Sequence, residues 1–226
     1  MSNKILIIFF GTILTYTLMA FAEIRISGES RILNEKNSIA ETISLDGIKY
    51  VVFDDRLNQW IHLSGSNKPR IEMKSKSGDM MSKLKYELKG DTLYINEMND
   101  EENHFDLSIF VPRDGFSGFT SSSAYVELSD IKQPGLSINQ VNGRVDLEED
   151  VDIGRLILNS NSDATLEMTA SRVDTLSIQV DDSSLRLYGK IRRLEGTLEN
   201  SSSVYASDVD EMMLKKDKGS SIRIMD

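Results

Sequence analysis

The chain has no cysteine, which excludes several kinds of site before any motif is considered. Without cysteine there is no disulfide, no thiolate zinc site, no iron–sulfur cluster and no cysteine nucleophile. Only 3 prolines occur among the 226 residues, which excludes a proline-rich linker or a collagen-like rod. What remains is a chain whose apolar fraction, 39%, is typical of a folded protein.

Positive charge and histidine are scarce as well. There are 26 Lys and Arg residues against 36 Asp and Glu residues, and the net charge is −10. A nucleic-acid footprint needs clustered basic residues, so we expect no nucleic-acid partner. The two histidines, His62 and His104, are accompanied by no G-x-S-x-G elbow and no glycine-rich phosphate loop. The sequence therefore predicts neither nucleophilic catalysis nor a bound cofactor.

The first 22 residues have the pattern of a secretory signal peptide. Lys4 provides a basic start and residues 5–19 are mostly apolar. Ala22 and Ala20 are the small residues that signal peptidase requires at the first and third positions before its cut. We therefore expect cleavage after Ala22 and export of the remaining chain, with no integral membrane segment left. The alternative is an uncleaved anchor, because the stretch is just long enough to span a bilayer.

After residue 22 the apolar residues alternate in short segments bounded by Gly, Ser, Asn or Asp, and no long helical period occurs. This pattern is typical of short β-strands. The clearest segments are residues 50–53, 60–63, 84–88, 93–95 and 107–111. We expect an all-β chain in which residues 23–112 form strands that cap a repeated region, residues 113–226, within one continuous domain.

The repeated region contains two series of apolar positions spaced 18 to 21 residues apart. The first series is Phe116, Leu136, Leu156, Leu176, Leu194 and Met212. The second series is Val126, Val145, Leu166, Leu185, Val204 and Ile222. A cluster of small polar residues precedes each member of the second series, and single apolar residues such as Ile131, Val151 and Val173 close the units. Shared periodicity of this length indicates a solenoid.

The solenoid is predicted to be a parallel β-helix of about six coils. Each unit offers two or three short strands and no helix-forming half, which argues against a leucine-rich repeat. Alternation would place the apolar side chains inside the coil, and stacking would join them into one apolar column. A β-helix has open strand edges at both ends. We expect the N-terminal strands to cover one end, and we predict a contact surface for self-association at the last coil.

The order of these segments resembles the bacterial head GIN domain family, whose members are suspected adhesin heads. The resemblance covers about residues 40–226, and its opening strands correspond to residues 47–50 and 60–63. The family's hairpin and its strand ending in Val-Pro correspond to residues 88–95 and 105–112. The resemblance implies a right-handed β-helix, a secretion signal and a surface role, and it supplies no catalytic residue. The glycine that the family carries in its serine-rich turns is mostly absent here.

A β-helix is also the scaffold of polysaccharide lyases, which need clustered carboxylates with a nearby cation. Asp163 and Asp182 occupy the same turn of successive coils and would stack about 5 Å apart. The neighbouring coils offer neutral Asn142 and Ser201 at this turn, so a solvated ladder of polar turn residues is favoured over a calcium site. We therefore expect no metal site and no enzyme.

Aromatic residues are the best candidates for recognition. Tyr125, Tyr188 and Tyr205 are each placed beside inward-pointing residues and should face outward from the rod. Trp60 shares a strand face with His62, so it either faces solvent or packs in the core or cap. We select Tyr125, Tyr205 and Trp60 as candidate binding residues.

The sequence thus predicts an exported, non-enzymatic, adhesin-like binding protein in the periplasm or on the surface of a Gram-negative bacterium. Its partner would be a glycan, an envelope component or another copy of the chain. Two alternatives stay open: a polysaccharide-acting enzyme on the same scaffold, and a structural or self-assembly module.

Overall fold

A computed structural model describes residues 38–57, 59–75, 80–98, 105–148 and 150–225. Residues 40–226 form one compact unit. The predicted signal peptide, with Ala20 and Ala22, lies outside the described residues, and so does His104. Within the described part of the chain, no helix is both long and apolar enough to cross a membrane.

Nineteen strands make up the described structure, together with a 3-10 turn at Met81–Lys83. The strands before residue 113 are β1 (Ile39–Ser44), β2 (Tyr50–Phe53), β3 (Trp60–Ser66), β4 (Arg70–Ser75), β5 (Leu84–Lys89), β6 (Thr92–Met98) and β7 (Phe105–Pro112). The later strands are β8 (Gly118–Ser121), β9 (Tyr125–Ser129), β10 (Lys132–Val141), β11 (Arg144–Leu147), β12 (Asp152–Asn161), β13 (Thr165–Met168), β14 (Arg172–Asp181), β15 (Ser184–Leu187), β16 (Lys190–Glu199), β17 (Ser203–Ala206), β18 (Val209–Lys216) and β19 (Ser221–Ile224).

These strands form two sheets, and their order defines a β-helix. The ten-stranded sheet runs β1-β4-β7-β3-β9-β11-β13-β15-β17-β19, and the nine-stranded sheet runs β18-β16-β14-β12-β10-β8-β2-β6-β5. From β8 onward, each coil gives one strand to each sheet, and every pairing is parallel. Six strand pairs therefore stack in five steps, which confirms the predicted β-helix.

The N-terminal strands both lengthen the solenoid and close its end. β2 pairs in parallel with β8, and β3 pairs in parallel with β9, so β2 and β3 form one further coil. β6 and β7 form the next coil outward by stacking on β2 and β3. The solenoid then ends in antiparallel strands, because β4 pairs with β7 and β5 pairs with β6. Of the N-terminal strands, only β4 and β5, with β1 beyond β4, cover the end of the solenoid as a cap would; β2, β3, β6 and β7 are part of the solenoid itself.

The spatial order of these coils differs from their order along the chain. β7 and β8 are consecutive in sequence but lie on opposite sides of the coil formed by β2 and β3, so residues 113–117 must pass across that coil. Backbone hydrogen bonds hold this crossing segment, from Arg113 N to Ser66 O (3.3 Å) and from Ser117 N to Lys49 O (2.7 Å). Gly65 lies at the crossing, where an added Cβ would collide with the carbonyl oxygen of Asp130.

The predicted apolar series form continuous interior columns. Every member of the second series is paired with the next, from Val126 through to Ile222. The first series is in register from Leu136 to Met212, but Phe116 lies one position out of line because Gly118 pairs with Ser137. Phe116 is nevertheless buried.

The residues expected to close each unit do not all share one column. Val173 pairs with Ile153 and Ile191, whereas Ile131 and Val151 lie two residues earlier, at the level of Ser171. Their side chains are buried all the same. The pairing of β12 with its neighbours is interrupted at Gly154, and the alternation of buried and exposed residues shifts by one position there.

The polar turns adopt the left-handed conformation without glycine in most coils. Asn142, Ser162, Asp182 and Asn200 have φ values of 60°, 60°, 47° and 54°. Asn, Asp and Ser can hydrogen-bond locally and so tolerate a region that is costly for most residues. This explains how the chain makes the turns although the glycine of the resembling family is missing.

Candidate functional site

Two exposed aromatic rings stack against each other on the outer face of the ten-stranded sheet. Trp60 opens β3 and Tyr125 opens β9, and the two residues are direct cross-strand partners. Their ring centroids are 5.9 Å apart and the ring planes differ by only 3°. Trp60 is 51% exposed and Tyr125 is 42% exposed. We call Trp60, Tyr125 and the adjacent His62 the aromatic patch.

His62 joins the patch from the next outward position of β3. Its ring lies 6.5 Å from that of Trp60, and its Nδ1 is 3.3 Å from Oε1 of Glu127. Ile61 and Leu63, on either side of His62 in sequence, are buried. Alternation along β3 therefore places the rings of Trp60 and His62 outside while its aliphatic residues fill the core.

A ladder of opposite charges continues from the patch along the same face. Arg144 contacts Asp146 (2.7 Å) on its own strand and Glu167 (2.9 Å) on the next, and Arg186 also approaches Glu167 (3.6 Å). The hydrogen bond from the guanidinium to Asp146 raises the pKa of Arg144 above its ordinary value. Asp146 and Glu167 are therefore paired with arginines. The strands next to the aromatic patch thus present charged groups that can form hydrogen bonds.

Tyr205 lies farther along the face, four strands from Tyr125, or about 19 Å at the usual strand spacing. It is half-buried, and the guanidinium carbon of Arg223 is 5.5 Å from its ring centroid. Tyr188 is 42% exposed but belongs to a turn after β15. The structure thus brings Trp60 and Tyr125 together and leaves Tyr205 apart from them.

Acidic residues outside this face form no catalytic or metal-binding arrangement that the structure describes. Asp163 and Asp182 do belong to neighbouring turns, joined by a backbone hydrogen bond from Asp163 N to Asp182 O (2.7 Å). In the described ranges, no group of three or more His, Asp or Glu side chains could hold a metal ion.

One carboxylate pair has divergent pKa values, and it lies on a turn rather than in a cleft. A hydrogen bond from Arg56 lowers the pKa of Asp54 to about 2. The neighbouring Asp54 raises the pKa of Asp55. Because both carboxylates follow β2 on an open turn that Arg56 and Glu97 also contact, the arrangement is that of a surface ion-pair cluster.

Glu127 and Arg144 were not among the residues selected from the sequence, although both adjoin the aromatic patch. Their proximity depends on β3 pairing with β9, which joins residues about 65 positions apart in the chain. Alternation within β9 and β11 shows that Glu127 and Arg144 face outward. No local pattern indicates that Trp60 is their neighbour.

Comparisons with known proteins show the fold. No protein-family model matches the sequence, and no curated protein matches it. A crystal structure of a "putative adhesin" from Bacteroides fragilis is similar at 12% identity, with a TM-score of 0.57, over 84% of this chain and 98% of that chain. A "putative adhesin" from Parabacteroides distasonis is similar at 14% identity, with a TM-score of 0.55, over 83% of this chain and 93% of that chain.

Proposed function

We propose that this chain is an exported, non-enzymatic, adhesin-like protein of the bacterial envelope that binds a glycan on the outer face of its ten-stranded sheet. Trp60 and Tyr125 are the main contact residues, and Tyr205 is a second contact farther along. The observation that carries the proposal is the stacked, solvent-exposed pair of rings. The fold similarity to two proteins described as putative adhesins supports a binding role.

The exposure of two large aromatic side chains on a sheet surface is not explained by the stability of the fold. Burying either side chain would favour folding through the hydrophobic effect, whereas here about half of each residue is exposed to water. Saccharides match such rings because the C–H groups on one side of a pyranose pack against an aromatic face. The paired rings therefore provide an apolar platform on an otherwise polar surface.

The groups beside the platform suit the hydroxyl groups of an uncharged sugar. The carboxylate of Glu127 accepts hydrogen bonds and the guanidinium of Arg144 donates them. Glu127, Asp146 and Glu167 lie on three successive strands of this face and outnumber the two arginines that pair with them, Arg144 and Arg186, so the face disfavours an anion. A neutral saccharide running along the rod would meet the aromatic patch first and Tyr205 about 19 Å farther on.

The enzyme alternative lacks a matching observation. A glycoside-cleaving site needs two carboxylates on either side of the bond, one of them with a raised pKa, in a cleft. Asp55 has a raised pKa, but its partner is adjacent in sequence and both lie on an open turn. The paired carboxylates of the charged ladder are likewise not positioned around a cavity.

Fluorescence titration tests the proposed binding site, because Trp60 is the only tryptophan of the chain. We expect neutral oligosaccharides from a panel of plant, mucin and bacterial glycans to change the emission of Trp60. Tyr125→Ala should weaken that binding about tenfold, since stacking anchors commonly contribute more than 1 kcal/mol. Tyr188→Ala, which removes an equally exposed but isolated ring, is the matched control and should change it less than about twofold.

Two results would contradict the proposed site. One is a panel in which no glycan alters the emission of Trp60. The other is equal weakening by Tyr125→Ala and Tyr188→Ala, which would show that ring stacking at the aromatic patch is irrelevant.

Export and location form a separate part of the proposal. We propose cleavage after Ala22 and a single mature domain made of residues 23–226, located in the periplasm or on the cell surface. Protease shaving of intact cells, followed by mass spectrometry, distinguishes the two locations. Peptides from residues 116–226 released from unbroken cells would favour adhesion at the surface. Their release only after envelope disruption would favour the periplasm, and a peptide spanning Ala22 and Glu23 would contradict cleavage.

A further inference from the structure

A second candidate site lies on the outer face of the other, nine-stranded sheet. A groove of about 550 Å³ lies between β12 and β18, with β14 and β16 as its floor. The floor is low because its outward side chains include the small residues Ser177 and Thr197.

Each wall of the groove combines one apolar and one cationic side chain. β12 contributes Ile157 and Arg155, and β18 contributes Met213 and Lys215. Ile157 is 41% exposed and Met213 is 51% exposed, so both apolar side chains rise from the sheet instead of filling the core. The backbones of β12 and β18 are three strand spacings apart, about 14 Å, which leaves room for one extended chain between the side chains.

Neither wall cation forms a salt bridge with a described residue, whereas Glu195 on the groove floor is paired with Arg193. Glu195, on the floor, accepts hydrogen bonds from Ser177 Oγ (3.1 Å) and Arg193 Nε (3.0 Å). These two contacts, with a smaller contribution from the charge of Arg155, lower the pKa of Glu195, and Arg193 is its direct ion-pair partner. Among the described residues, neither Arg155 nor Lys215 forms a salt bridge. The groove is therefore locally positive in a chain whose net charge is −10.

The chemistry of the groove matches a saccharide better than a peptide or a lipid. The floor strands are paired on both sides, so no free backbone groups are offered to an extended peptide. A floor of hydroxyl and amide groups would leave an acyl chain next to unsatisfied polar atoms. A sugar chain carries both hydroxyl edges, which suit Ser177, Gln179 and Thr197, and C–H faces, which suit Ile157 and Met213.

Two adjoining hollows extend the groove. One shares Arg155 and Ile157 and continues over Gly135 to Ser117, and the other shares Thr197 and Lys215 and continues to Asn200. A ligand longer than one sugar could therefore follow the face of the sheet. We propose that this groove binds an acidic saccharide, a sugar chain whose carboxylates pair with Arg155 and Lys215.

Calorimetric titration of the full chain tests the proposal with three acidic probes: oligogalacturonate, oligomannuronate and a hyaluronan fragment. The matched ligand control is methyl-esterified oligogalacturonate, which has the same sugar without the charge. We expect at least one acidic probe to bind, the ester to bind about tenfold more weakly, and affinity to fall when salt is raised from about 50 to about 200 mM.

Paired charge variants locate the binding site. Arg155→Gln with Lys215→Gln should weaken binding of the acidic probe about tenfold. Lys190→Gln with Arg192→Gln removes the same net charge from exposed positions of β16 outside the groove, and should weaken it less than about twofold. Trp60→Ala should leave it unchanged, which separates this site from the aromatic patch.

Several outcomes would overturn the groove assignment. They are failure of all three acidic probes to bind, equal binding of the ester, equal weakening by the two charge pairs, and loss of acidic binding in Trp60→Ala alone. The first three leave neutral glycan binding at Trp60 unaffected, so the groove can fail while the aromatic patch stands. The last would instead place the acidic saccharide at the aromatic patch.

Discussion

The coils after residue 113 and the coils before it have the same cross-strand pairing but differ in how the sequence specifies them. In the later region each coil stacks on the one that precedes it in sequence, and the pairing repeats from β8 to β19. In the earlier region the coil of β2 and β3 lies between β8/β9 and β6/β7, so spatial neighbours are not consecutive. Periodicity predicts the first kind of neighbour and gives no information about the second.

The difference matters for function because the aromatic patch lies where the two regions meet. Trp60 belongs to the earlier region and Tyr125 to the later one, and they are adjacent only because β3 pairs with β9. The groove of the nine-stranded sheet, in contrast, is built entirely from β12 to β18, within the regular coils. One site therefore depends on the irregular stacking and the other does not.

The largest expected effect is the loss of stability caused by opening a cavity in the regular coils after residue 113. Leu166 is fully buried in the second column, and Leu166→Ala should lower the free energy of unfolding by about 2–5 kcal/mol. Urea unfolding followed by circular dichroism measures it. Leu88→Ala, at a 46% exposed position, is the control and should change stability by less than about 0.5 kcal/mol. Because solenoid coils contact mainly their neighbours, the unfolding transition followed by Trp60 emission should shift less than the one followed by dichroism.

A smaller loss of stability is expected at the crossing in the earlier region, and there the Trp60 emission should respond more strongly than the dichroism. Gly65→Ala would push a methyl group onto the Asp130 carbonyl and should cost about 1–3 kcal/mol through overpacking. Because Trp60 is on the same strand as Gly65, the unfolding transition followed by Trp60 emission should shift more than the one followed by dichroism. Gly135→Ala is the control, because its nearest contact would be an ordinary 3.8 Å from the oxygen of Arg155. A Gly65→Ala protein as stable as the Gly135→Ala protein would contradict the crossing.

The smallest effect concerns the turns of the regular coils. Ser162 is exposed and has φ 60°, so Ser162→Gly should relieve left-handed strain and raise the free energy of unfolding by about 0.5 kcal/mol. Ser177→Gly, within strand β14, should lower it by a similar amount. Destabilisation by both substitutions would show that the turns do not need the left-handed conformation.

Much of the fold can be predicted from the sequence because each repeat carries the same pattern of apolar positions. The second apolar series predicts every pairing from Val126 to Ile222 correctly, since successive coils of similar length keep it in register. Phe116 is misplaced by one position because the chain enters the repeat from the crossing instead of from a preceding coil. Ile131 and Val151 occupy a different column from Val173, and the spacing of single apolar residues does not distinguish the two columns.

The candidate sites are less predictable for a related reason. Exposure of Tyr125 follows from alternation in β9, but its contact with Trp60 depends on a pairing that no local pattern encodes. The groove depends on the small side chains of Ser177 and Thr197 lying on the same outer face of neighbouring strands, which no local pattern in the sequence indicates. Both sites therefore arise from the packing of the coils.

Engineered disulfides test the stacking order that creates the aromatic patch most directly, since the chain has no cysteine of its own. His62 is the cross-strand partner of both Glu127 and Ser108, which puts Ser108 two strand spacings, or about 10 Å, from Glu127. We predict that His62→Cys with Glu127→Cys forms a crosslink in the folded protein and that Ser108→Cys with Glu127→Cys does not. The reverse result would place β7 beside β9, in chain order, and would remove Trp60 from Tyr125.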